Sequence, residues 1–178
     1  MHRLSESSLR SLVISAAMGA LALALPIAFH AVGLGSRFLP MLLPLLVNGY
    51  LSRWSWAAAT GLAIPWISAL ATGMPPLYPP VAAIMSAEGF VLASSAAATR
   101  RLPLWVSVPI AVASGRAAAL AGAWVAASWL DLPPGFASLA MIAQGLPGVV
   151  LQLVVTPLAV AALRRRGGPL LDETRVVR

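Results

Sequence analysis

Long uncharged apolar stretches alternate along the chain with short segments that hold nearly all of its charge. Ser11–Phe29 carries no charge and closes near Pro26. Phe38–Ser52 is shorter and contains Pro40 and Pro44. Trp54–Thr72 ends at the breaker run Gly73-Met74-Pro75-Pro76. Pro79–Thr99 holds one charge, Glu88, and Leu104–Trp129 holds one, Arg116. Ala137–Leu163 is interrupted by Gly145, Pro147, Gly148 and Pro157. A bilayer span needs about 20 apolar residues. The pattern therefore predicts an all-α polytopic membrane protein, a bundle of six transmembrane helices over residues 11–163. Residues 1–10 are read as a cytoplasmic segment and residues 164–178 as a basic cytoplasmic tail. The second helix, with its prolines, is expected to be kinked or partly re-entrant.

Composition strengthens that class and removes others. Hydrophobic residues make up 60% of the chain and charged ones 10%, where soluble domains carry roughly a quarter. A soluble fold and intrinsic disorder are both excluded. The net charge is +7, yet the arginines stand singly or in small groups between apolar runs. No clustered basic face suits nucleic acid. The chain has no cysteine, so disulfides, thiolate metal sites and cysteine nucleophiles drop out. Arginine in place of lysine throughout, with abundant alanine, points to a GC-rich bacterial genome, and the expected location is the bacterial cytoplasmic (inner) membrane. Arg3, Arg10 and Ala22-Leu23-Ala24 imitate a signal peptide. Because more membrane segments follow, the first span is expected to stay uncleaved.

Arginine bias in short loops sets orientation. With six spans and an internal N-terminus, Arg3, Arg10, Arg53, Arg100, Arg101, Arg164, Arg165, Arg166, Arg175 and Arg178 face the cytoplasm. Only Arg37 faces outward, and Arg116 lies within a span. Both termini are thus expected inside.

Glu88 and Arg116 are the conspicuous chemistry. An ionisable group at mid-span costs about 2.5 to 3.5 kcal/mol on insertion scales, so it faces the interior and finds a partner. Two readings follow: an ion pair locking consecutive helices, or the polar wall of a substrate cavity, which is preferred. Asn48, Gln144 and Gln152 each suit a helix-to-helix hydrogen bond of about 1 kcal/mol. As a set with the charges they could line one hydrated pocket. Ala16, Ala20 and Ala24 make a small-residue stripe that would let another helix approach closely. Ser114, Ala118, Gly122 and Ala126 make a second. Between the first two spans lie His30, Gly33, Gly35 and Arg37. The uncharged Thr72–Pro80 connection, with Tyr78, reads as a stiff lid or as an interfacial aromatic anchor. Two histidines are too few for a histidine-rich metal site, no Walker-type phosphate loop is present, and no serine sits in a nucleophile motif. The chain is read as a non-enzyme with no cofactor or metal, so any ATP-driven step belongs to another subunit.

The ordered motifs resemble a known family. Phe29-His30, Gly33-Leu34-Gly35, and Phe38-Leu39-Pro40-Met41 with Pro44 and Gly49 look like the start of the substrate-binding S components of energy-coupling-factor (ECF) vitamin transporters. The likeness is greatest to the group assigned to pantothenate, hydroxymethylpyrimidine and cobalamin. It continues through Pro65, the Thr72–Pro76 loop, Met85 with Glu88, Gly115-Arg116, and Gly145-Leu146-Pro147-Gly148 with Gln152 and Pro157, covering about residues 11 to 163. Two places depart from the pattern: Leu42 stands where a histidine is usual, and Gly89-Phe90 replaces a leucine-rich context. The resemblance implies capture of a vitamin or precursor at the outer face. It also implies docking, largely through helix 1 at Ala16, Ala20 and Ala24, on a membrane coupling subunit driven by two cytoplasmic ATPases. Substrate contacts would come from His30, Tyr78, Glu88, Arg116, Gln144 and Gln152. Two rival readings are a structural or assembly membrane subunit without a transported ligand, and an intramembrane enzyme with Glu88 as base.

Overall fold

The computed structural model describes residues 6–31, 33, 38–133 and 145–167, and those residues contain helices and no strands. The helices are α1 (Glu6–Ala31), α2 (Leu42–Leu51), α3 (Trp54–Thr72), α4 (Val81–Thr99), α5 (Leu104–Trp129) and α6 (Leu146–Gly167). Four of them, α1, α4, α5 and α6, are long and apolar enough to cross a membrane. That is the build of a multi-pass membrane protein. α3 matches α4 at 19 residues, but Ser55, Thr60, Ser68 and Thr72 interrupt its apolar run.

The distribution of side chains is the reverse of a soluble bundle. Ser11, Ser15, Asn48, Ser86, Glu88, Gln152 and Thr156 are buried, while Val13, Leu21, Ile27, Leu70, Val154 and Leu158 are exposed. Large apolar groups turned outward are stable only against lipid, and small or polar groups inside let helices pack closely and bond across.

α2 differs most from its expected extent. Its 10 residues rise about 15 Å, half of a hydrocarbon core of about 30 Å. Leu39 has a positive φ of 48°, outside the right-handed helical region, so the helix starts only after it, at Leu42. Pro44 then falls in the first turn, where its missing N–H breaks no bond. α2 packs against α1, α3, α4 and α6, and its Leu42, Leu45, Leu46 and Val47 join Leu92, Val108, Val112 and Val160 in the main core. Leu42, at the position where the resemblance expects histidine, is fully buried in that cluster.

Glycines set the closest approaches. A Cβ added to Gly89 of α4 would stand 2.6 Å from the carbonyl oxygen of Gly61 on α3. One added to Gly49 of α2 would stand 2.6 Å from that of Ala93 on α4. The Gly89 departure thus has a structural reason: it lets α4 lie backbone to backbone on α3.

Hydrogen bonds join one end of the bundle. The Arg53 N–H donates to Ser11 Oγ at 3.1 Å, and Arg164 Nη2 donates to the Tyr50 carbonyl at 3.3 Å. Arg100 Nη1 reaches the Ser52 carbonyl at 3.5 Å. Tyr50 Oη and Thr99 Oγ1 both contact Ser107 Oγ, at 2.8 and 2.7 Å. The start of α1, the α2–α3 turn and the later turns of α4 and α6 therefore share this arginine-rich end.

Candidate functional site

At the opposite end lies a cavity of about 270 Å³. α1 contributes Pro26 and His30, and the entry to α2 contributes Leu39, Pro40 and Met41. The α3–α4 connection covers it with Met74, Pro75 and Pro76, and α4 closes it with Val81 and Met85. The covering loop is tied at both ends. Ser68 Oγ on α3 donates to the Met74 carbonyl at 2.6 Å, and the Ala82 N–H on α4 donates to the Pro76 carbonyl at 3.2 Å. Proline supplies fixed φ without a donor to satisfy, so an apolar loop can hold one shape over an apolar space.

His30 is the polar handle in this wall. Its Nδ1 lies 2.8 Å from the Pro26 carbonyl. A carbonyl only accepts, so Nδ1 carries the proton and, in the neutral ring, Nε2 is left as an acceptor.

Glu88 lies on the same stripe of α4 as Val81 and Met85, about one turn deeper, because helix positions three and four apart share a face. It forms an ion pair with Arg116 of α5. The Glu88 side chain is 4% exposed and that of Arg116 20%, so the arginine keeps access to space beyond its partner.

Gly145, just before α6, and the α6 positions Gly148, Gln152, Thr156 and Val160 are buried at helical spacing. This face turns into the bundle, since Val160 belongs to the main core. Gln152 is 1% exposed. Neither its Oε1 nor its Nε2 has a hydrogen-bond partner among the described residues. Arg164 is anchored at Tyr50, the far end of α2, and Gln152 lies twelve residues earlier, about 18 Å along α6. Gln152, Glu88 and Arg116 are not among the residues that line the cavity.

The remaining expected site residues are placed differently. Tyr78 is 72% exposed and is not part of the cavity wall. Asn48 is buried at the α1–α2 junction, where Ser15 Oγ donates to its Oδ1 at 3.1 Å and Ser52 Oγ to its carbonyl at 3.0 Å. Gln144 lies outside the described residues. Ala16, Ala20 and Ala24 are all exposed on α1. Ala16 and Ala20, with Gly19, line a groove of about 420 Å³ between α1 and α3, whose α3 side is Trp56, Ala59, Thr60, Ala63, Ile64 and Ile67. The methionines 41, 74 and 85 were not expected as a group. Only their positions in motif and loop were visible, because apolar residues fill the chain. Among the described residues no three His, Asp or Glu side chains gather as a metal site would require.

No family model, curated protein or solved structure matches the chain.

Proposed function

We propose that the protein is the substrate-binding S component of an ECF-type importer in a bacterial inner membrane. In this reading it captures a vitamin or vitamin precursor at the outer face and delivers it inward with a membrane coupling subunit and two cytoplasmic ATPases. The observation that carries the reading is the roofed cavity at the end of the bundle remote from the arginines. By the positive-inside rule the arginine-rich end is cytoplasmic, which turns the cavity outward and puts both termini inside, with all six helices counted as spans. His30, Glu88, Arg116 and Gln152 are the proposed substrate contacts, and Asn48 is a helix-joining residue.

The groove on α1 and α3 is the proposed docking face. The small side chains among its lining, Ala16, Gly19, Ala20, Ala59 and Ala63, leave room for a partner helix to approach closely, which is how helices associate in a bilayer that offers no hydrophobic drive between them. Ala20→Trp fills that groove on the exposed side, away from the core. The variant is expected to fold and bind ligand but to lose co-purification with a co-expressed coupling subunit. Undiminished co-purification would remove this groove as the docking face.

A further inference from the structure

The cavity opposite the arginine-rich end gathers four electron-pair donors of one character. Met41, Met74 and Met85 line it together with His30, and no acidic or arginine side chain does. The four come from separate segments: α1, the entry to α2, the α3–α4 connection and α4. Met41 is 3% exposed and Met74 48%, so the set reaches from the core to the covering loop. The space is about 270 Å³, roughly nine waters at about 30 Å³ each. Methionine turns about three side-chain bonds, so sulfurs on facing walls of so small a space can be brought onto one ion.

Methionines alone would be ordinary apolar filling. The histidine among them sets the group apart, because it is held as metal-ligating histidines are. Its Nδ1–H donates to the Pro26 carbonyl at 2.8 Å, which fixes the ring and leaves Nε2 free to bind. Three thioethers and a neutral imidazole make a soft, uncharged donor set. Thioether sulfur selects Cu(I), whereas carboxylate, carbonyl and water oxygens suit Mg(II) and Ca(II). Zinc sites are built from thiolate, several histidines or carboxylates. The chain has no cysteine, and no three His, Asp or Glu side chains gather among the described residues.

We propose that Met41, Met74, Met85 and His30 form a binding site for one soft monovalent cation of the Cu(I) or Ag(I) kind. A bare ion fills little of the cavity, so it leaves room for an organic ligand against it. The site goes beyond the import reading and does not depend on it.

The test is equilibrium dialysis of Ag(I), in chloride-free buffer, against the purified full chain in nanodiscs, with empty nanodiscs subtracted. One tightly held ion per chain is expected, undisturbed by excess Zn(II) or Mg(II). Met74→Leu, Met85→Leu and His30→Gln should each weaken binding about tenfold or more, since losing even an outer partner of a metal ligand costs that much. Leucine replaces methionine at nearly constant volume, a swap that proteins tolerate, so unfolding temperatures of the methionine variants should change little. Met18→Leu is the control, because Met18 packs against the main core from α1 and is not part of the cavity wall. X-ray absorption of the Cu(I)-loaded chain should show at least two sulfur neighbours and one nitrogen. The proposal is overturned by an absence of saturable Ag(I) binding, by displacement with Zn(II), or by affinity unchanged in Met74→Leu and Met85→Leu. An equal loss in Met18→Leu, or fewer than two sulfur neighbours, overturns it as well. Failure of coupling-subunit assembly would end the import reading and leave these metal measurements standing.

Discussion

Glu88→Gln and Arg116→Met, made separately, are each expected to destabilise the protein by about 3 to 5 kcal/mol, because each leaves a charge at mid-span without its counter-ion. Joined in one chain, the two substitutions should return most of that stability, since the remaining Gln and Met carry no charge to bury. Thermal unfolding of the three variants in one lipid composition measures this directly. The second readout is ligand affinity. Arg116 keeps 20% of its side chain accessible, and Glu88 lies three residues along α4 from Met85 of the cavity wall. The stable double variant is expected to bind its co-purified ligand about ten- to a hundredfold more weakly, the worth of a charge-assisted hydrogen bond. Recovered stability with undiminished affinity would make the pair a lock between α4 and α5 and nothing more.

Gly89→Ala is expected to cost about 2 to 3 kcal/mol, at the upper end of ordinary overpacking. The new methyl group would meet the Gly61 carbonyl at 2.6 Å, and backbone cannot swing aside as a flexible side chain can. Gly122→Ala on α5 is the control. Its Cβ would meet Ile84 at 3.5 Å, an ordinary contact. Alanine is also the better helix former by about 1 kcal/mol, so this variant should be neutral or slightly stabilised. Equal effects of the two substitutions in thermal unfolding would show that close packing of α3 on α4 is not what holds these helices.

These predictions rest on features that differ in how visibly the sequence carries them. α3 and α5 run over Trp54–Thr72 and Leu104–Trp129, as the breakers and arginines flanking them indicate. α1 extends back to Glu6 and α6 on to Gly167, beyond the expected 11–163, because hydropathy marks where lipid begins and not where helix ends. α2 is shorter than its apolar run because the backbone leaves the right-handed helical region at Leu39, whose φ is 48°, a local effect that hydropathy does not register. The Glu88–Arg116 pair was legible because mid-span charges are costly enough to demand a partner. The cavity wall was not. Met41, Met74 and Met85 resemble any lipid-facing methionine until the fold brings three separate segments together. Gln152 was visible as a polar residue. Its two unpartnered ends became apparent only when the face of α6 was known.

The most direct test of the substrate-binding role is mass spectrometry of the full chain purified gently from its native membrane, with co-purifying small molecules released and identified. The proposed role predicts a near-stoichiometric vitamin-like small molecule that is lost from the Glu88→Gln/Arg116→Met variant and retained by Ala20→Trp. A chain that carries no small molecule, together with a coupling subunit that it fails to retain, would contradict it.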